Sequence, residues 1–145
     1  MLSVGEQMMS DVREIEGTSP YTVWADIFEV GDDIQIIVGG GHRPHVGAVA
    51  LAEPEIAKHP VTGEIITNAD AKESSCKITA ISAQGHKEKE VAIAFAEEFC
   101  REFNVNVSVT VGIHIDDATI EEINIFKENI NKLIVKSIKS WCKRI

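Results

Sequence analysis

The sequence predicts an α+β fold: one domain with a largely antiparallel sheet of about five to six strands, flanked by two long helices. Three observations carry that prediction. Short runs with a two-residue apolar alternation dominate the first half of the chain, and most are joined by links too short for a helical crossover. The two long stretches with helical spacing both fall late, after Lys87 and after Thr119. At 145 residues the chain is of the size of a single domain with a single core, so residues 1–145 are read as one unit.

In chain order, Leu2 to Gly17 is ambiguous. Met8, Met9, Val12 and Ile15 are roughly helical in spacing and Gly17-Thr18-Ser19-Pro20 is a stop, so residues 1–17 read as a short helix or a mobile arm. Tyr21, Val23, Ala25 and Ile27 then alternate along a strand that runs to Val30. Gly31-Asp32 turns the chain, and Ile34, Ile36 and Val38 alternate in a second strand; the two form an antiparallel hairpin. Val46 to Leu51 reads as a third strand, an antiparallel neighbour of the second. Residues 53–75 show no period, contain Pro54, Pro60 and Gly63, and read as one long irregular loop, with His59 a surface residue. Lys77 to Ser82 is a fourth strand.

Lys87 to Phe103 is the clearest helix. Val91, Phe95 and Phe99 form its apolar stripe, Ala92, Ala94 and Ala96 permit close packing, and Glu88, Glu90, Glu97 and Glu98 point toward water. Val105, Val107, Val109 and Val111 alternate with polar residues in the best strand signal of the chain. Asp117 or Thr119 then caps a helix whose apolar positions are Ile120, Ile123, Phe126, Ile130, Leu133, Ile134 and Ile138. Glu121 and Glu122 in its first turn and Lys136, Lys139, Lys143 and Arg144 toward its end suit the helix dipole, so the basic C-terminus reads as helix electrostatics.

Composition excludes some functions. A formal net charge of −9 argues against nucleic acid, whose phosphates are neutralised by Lys and Arg. Met1 to Ser10 has neither a basic start nor an apolar core, and no apolar run reaches membrane-spanning length, so a cytoplasmic location is expected. Cys76, Cys100 and Cys142 are widely spaced and odd in number, as reduced thiols are, with Cys100 on the buried face of its helix.

Chemistry-bearing residues gather at three strand ends. Gly39-Gly40-Gly41-His42-Arg43-Pro44-His45-Val46-Gly47 reads as a glycine-rich loop between two strands, with a guanidinium and two imidazoles on a backbone that Pro44 stiffens. Gly85-His86-Lys87 opens the first long helix, where free N–H groups favour an anion. His114-Ile115-Asp116 places two polar side chains on one face if the last strand continues that far. Two readings of these residues differ in class. His45, His86 and His114 have the ligand chemistry for a divalent metal that activates water in a hydrolase; alternatively the loop is an interface feature of a protein-assembly module.

These three stretches, with Ala48-Val49-Ala50-Leu51 and Val109-Thr110-Val111-Gly112-Ile113, resemble the prenylated-flavin chaperone family typified by the D subunit of gallate decarboxylase, over about Ile34 to Ile134. That family is in turn similar in fold to the small proteasome assembly chaperones, which implies a sheet flanked by helices and a homodimer. The resemblance implies an accessory role and no catalysis: binding prenylated FMN made by a flavin prenyltransferase and helping a UbiD-type decarboxylase acquire or keep it, with no metal. The positions matching the family motifs are Gly40, Arg43, Pro44, His45 and Gly47, then Gly85, His86 and Lys87, then His114 and Asp116. With that ligand, Arg43, Lys87 and the backbone N–H groups of Gly39 to Gly41 are expected to hold the phosphate. His45, His86 and His114 are expected to face the ribityl chain or ring edge.

Overall fold

The computed structural model describes residues 9–55, 61, 75–83 and 88–144. Strands β1 (Val12–Glu16), β2 (Val23–Val30), β3 (Asp33–Gly41), β4 (Ala48–Pro54), β5 (Cys76–Ser82) and β6 (Val107–His114) form one open sheet. Helices α1 (Lys89–Phe103) and α2 (Ile120–Arg144) complete a single α+β domain. The sheet order is β1-β2-β3-β6-β4-β5, antiparallel at every junction except β3 with β6, which run parallel.

The β2–β3 hairpin forms as expected, with Val30 opposite Asp33. The expectation for the third strand is corrected. β4 is not a neighbour of β3, because β6 inserts between them and pairs with both. β6 has valine at three inward positions, Val107, Val109 and Val111, all fully buried, and its other face is short and polar. A strand of that composition suits the sheet centre, where both neighbours and a helix cover it.

The segment Leu2 to Gly17 is corrected in part: Val12–Glu16 is an edge strand paired with β2, and residues 1–8 lie outside the described residues. The sequence hides this strand because two of its inward positions are acidic. Glu14 accepts a hydrogen bond from Ser140 Oγ (2.6 Å), and Glu16 pairs with Lys136 Nζ (2.6 Å), which also donates to the Ile15 carbonyl (2.8 Å). Polar ties to α2 replace the apolar alternation that would have marked it.

Both helices cover the same face of the sheet. α2 packs on β1 and β2, and α1 on β4, β5 and β6. The inward residues of β4 are Ala48, Ala50 and Ala52, and α1 presents Ala92 and Ala96, so helix and sheet approach closely. Phe95 and Phe99, both fully buried, fill the space that the alanines leave, their rings stacked at 6.5 Å. α1 stops at Asn104, whose left-handed conformation (φ 54°) lets its N–H return to the Cys100 carbonyl.

α2 begins with a reciprocal cap. Thr119 Oγ1 accepts from the Glu122 N–H and Glu122 Oε1 accepts from the Thr119 N–H, each at 3.1 Å. Those bonds from Thr119 hold the Glu122 carboxyl below its ordinary range. Its apolar list is corrected at the first turn, where Ile120 and Ile123 are exposed, while Ser137 and Trp141 join the core.

Cys100 is buried and in thiol contact with half-buried Cys76; burial, reinforced by that neighbour, pushes its pKa up to about 12. A thiol held protonated is a poor nucleophile. Alkylation of the native protein is therefore expected to label exposed Cys142 first and Cys100 only on unfolding, read by mass spectrometry of labelled peptides; labelling of native Cys100 at the rate of Cys142 would contradict this packing.

Candidate functional site

The parallel pairing of β3 with β6 brings two C-terminal strand ends side by side, with Gly41 opposite His114. Loops leaving such ends converge on one side of a sheet, which is why ligand sites form there. Here the loop of residues 42–47 crosses the end of β6 and is fastened at both sides. The His42 N–H donates to the His114 carbonyl (2.7 Å) and the Gly47 N–H to the Val111 carbonyl (2.8 Å).

Two glycines make that crossing sterically feasible. Gly41 has φ 73°, and the His114 carbonyl lies where its side chain would start. Gly112 has the His45 carbonyl packed directly on it, in the place of a Cβ. A side chain at either position would meet backbone, which cannot swing away as a side-chain tip can.

The loop carries its side chains into a cluster around Asp116. Arg43 Nη2 donates to Asp116 Oδ1 (3.0 Å), and His114 Nε2 lies 2.9 Å from the same oxygen. His42 Nδ1 is 4.0 Å from Oδ2. The His114 hydrogen bond, with the Arg43 charge beside it, holds the Asp116 carboxyl below its ordinary range, so it is ionised at neutral pH. The His45 ring meets the His114 ring edge to face at 5.7 Å, and its Nε2 lies 3.4 Å from Glu88 Oε1. Two imidazole–carboxylate pairs thus sit against each other, with an exposed guanidinium at the rim.

The expected site residues separate into three groups. Gly41, Arg43, Pro44, His45, Gly47, His114 and Asp116 all belong to or border the cluster. Gly39 and Gly40 do not: the triple glycine is the end of β3, not a loop, with Gly39 beneath the Trp24 ring and Gly40 paired with Val23. Gly85, His86 and Lys87, like His59, lie outside the described residues.

Glu88, read from the sequence as facing water, is corrected. Its side chain is only 12% exposed, and its carboxylate occupies the space beside Gly47 as it reaches His45. Nothing in the periodicity of α1 marks it, because Glu88 precedes the first turn and its direction is set by the loop packed above it. The absence of a side chain at Gly47 was the available signal.

Among the described residues no group of three His, Cys, Asp or Glu side chains is arranged to hold a metal ion. A shallow depression of about 540 Å³, lined by Glu16, Asn131, Val135 and three lysines, lies between β1 and α2 and is no part of this cluster. The donor set is a cation and imidazoles on a surface shelf, because the N–H groups of Gly41, His42 and Gly47 are spent on the Thr22, His114 and Val111 carbonyls and Gly41 has none left for a phosphate. It suits an anionic ligand with further polar groups.

A family model described as the prenylated flavin chaperone LpdD-like domain matches residues 17–143. No curated protein matches the chain. Among solved structures, the chain is similar to one in a chaperone complex for yeast 20S proteasome assembly, at 13% identity and a TM-score of 0.52, over 89% of this chain and 94% of that one. At that identity the likeness is one of fold.

Proposed function

Because the chain belongs to the LpdD-like prenylated flavin chaperone family, we propose that it binds prenylated FMN and passes it to, or keeps it in, a UbiD-type decarboxylase, acting as a cytoplasmic homodimer without catalysis of its own. The observation that supports this most is the Arg43, His45, His114 and Asp116 cluster at the paired ends of β3 and β6. The donors suit the ligand: Arg43 for the phosphate dianion, with Lys87 as a second cation, and the imidazoles of His45 and His114 for the ribityl hydroxyls or the flavin edge. Asp116 holds Arg43 in place in the free protein and gives it up when a phosphate offers a stronger partner. Prenylated FMN brings its own reactivity; this chain contributes binding and orientation.

The test is a titration of the protein with prenylated FMN, with unmodified FMN as control, read by absorbance and thermal shift. Micromolar binding that prefers the prenylated form is expected, with a rise in melting temperature, since the ligand binds the folded state alone. Arg43→Ala is expected to weaken it by about tenfold or more, the value of one charge-assisted hydrogen bond. No binding of either flavin would overturn this reading, and a stable complex with the decarboxylase under those conditions would leave a protein-assembly role.

A further inference from the structure

The second face of the sheet carries no helix among the described residues. By register, its positions are Arg13 and Ile15 on β1, Trp24, Asp26 and Phe28 on β2, Gln35, Ile37 and Gly39 on β3, Ser108 and Thr110 on β6, Val49, Leu51 and Glu53 on β4, and Lys77, Thr79 and Ile81 on β5. Ile81, Val49, Thr110 and Ile37 are successive cross-strand neighbours, so an apolar and β-branched row crosses four strands without a break. Ile81 is 68% exposed, Ile15 49%, Leu51 40% and Val49 37%. Soluble monomers rarely leave such a contiguous patch in water.

We propose that this face is the surface on which a second copy of the chain packs, sheet against sheet, which gives the homodimer of the reading above a location. Charge argues for a like partner. The chain carries a net −9, so two copies repel across most orientations. On this face, however, Arg13 pairs with Asp26 (2.6 Å), Lys77 stands opposite Glu53 across the ladder, and Asp33 at the far end is engaged by the Asn106 N–H. Apart from Asp33 at its end, the charges on the strands of this face stand opposite a charge of the other sign, so two copies meet there with less repulsion than their net charge implies.

Area argues the same way. A sheet of six strands spaced about 4.8 Å apart, each about seven residues long, presents about 650 Å² before side-chain relief. That is comparable to the roughly 800 Å² that each partner buries in a standard stable interface. Aligned packing of two sheets about 10 Å apart is a common way to bury such faces.

The experiment is sedimentation velocity of the full chain from low micromolar concentration upward, for wild type, Leu51→Glu and Val135→Glu. Val135 is exposed on α2, away from this face, and serves as control. Wild type and Val135→Glu are expected to be dimers, in low and high salt alike, and Leu51→Glu a monomer that retains the wild-type far-ultraviolet circular dichroism. A monomeric wild type at every concentration would overturn the proposal, and so would a dimer that Leu51→Glu leaves intact. The first result would mean that the face is covered within a single chain. Flavin titration of the same samples is a separate readout, so failure of the flavin reading and failure of this interface are distinguishable.

Discussion

Gly112→Ala is expected to destabilise the protein by about 1 to 3 kcal/mol, the usual cost of forcing atoms into a packed site, and to weaken ligand binding by about tenfold or more. The new methyl group would occupy the position of the His45 carbonyl. Because the neighbour is backbone, relief requires the loop of residues 42–47 to lift. Lifting it breaks the His42-to-His114 and Gly47-to-Val111 hydrogen bonds together. His45 then leaves His114 and Glu88, and Arg43 leaves Asp116. Gly31→Ala is the control: it places a methyl group in open space, with only the cost of its positive φ, and lies at the far end of the β2–β3 hairpin. Denaturant unfolding and flavin titration of both variants check this. Unchanged affinity in Gly112→Ala would show that the loop is not positioned by this contact.

Phe99→Ala is expected to cost about 3 to 5 kcal/mol, lowering the melting temperature by roughly 10 °C or more. Phe99 is fully buried, stacks on Phe95 at 6.5 Å and meets Phe103 at 5.6 Å. The sheet beneath α1 offers alanines at all three inward positions of β4. Those alanines are too short to fill the void and Phe95 is already fully buried, so a cavity persists in part and its walls lose contacts. Phe103→Ala, at a partly buried position at the end of α1, is expected to cost distinctly less. Thermal unfolding of the two variants decides it, and equal losses would contradict a core centred on Phe99.

Local pattern was enough wherever an element buries one face against the core. β2, β3 and β6 alternate because their inward residues must be apolar; α1 and most of α2 repeat at helical spacing for the same reason. The Thr119 cap is legible too, since its chemistry lies within four residues. β1 was not legible, because Glu14 and Glu16 are satisfied by Ser140 and Lys136, residues more than a hundred positions away. The same distance hid the place of β6: nothing local tells a strand which of several valine-bearing edges it will enter.

The site divides along the same line. The sequence by itself determined which side chains are available, a guanidinium and imidazoles beside glycines, and placed them at strand ends. Only the tertiary structure decided which of them meet. Parallel pairing of β3 with β6 joined His45 to His114 and Arg43 to Asp116, drew Glu88 in from the start of α1, and left Gly39 and Gly40 inside a strand. The physical reason is that secondary structure follows from periodicity within a few residues, whereas a cluster depends on strand order and on where a missing Cβ lets one backbone rest on another.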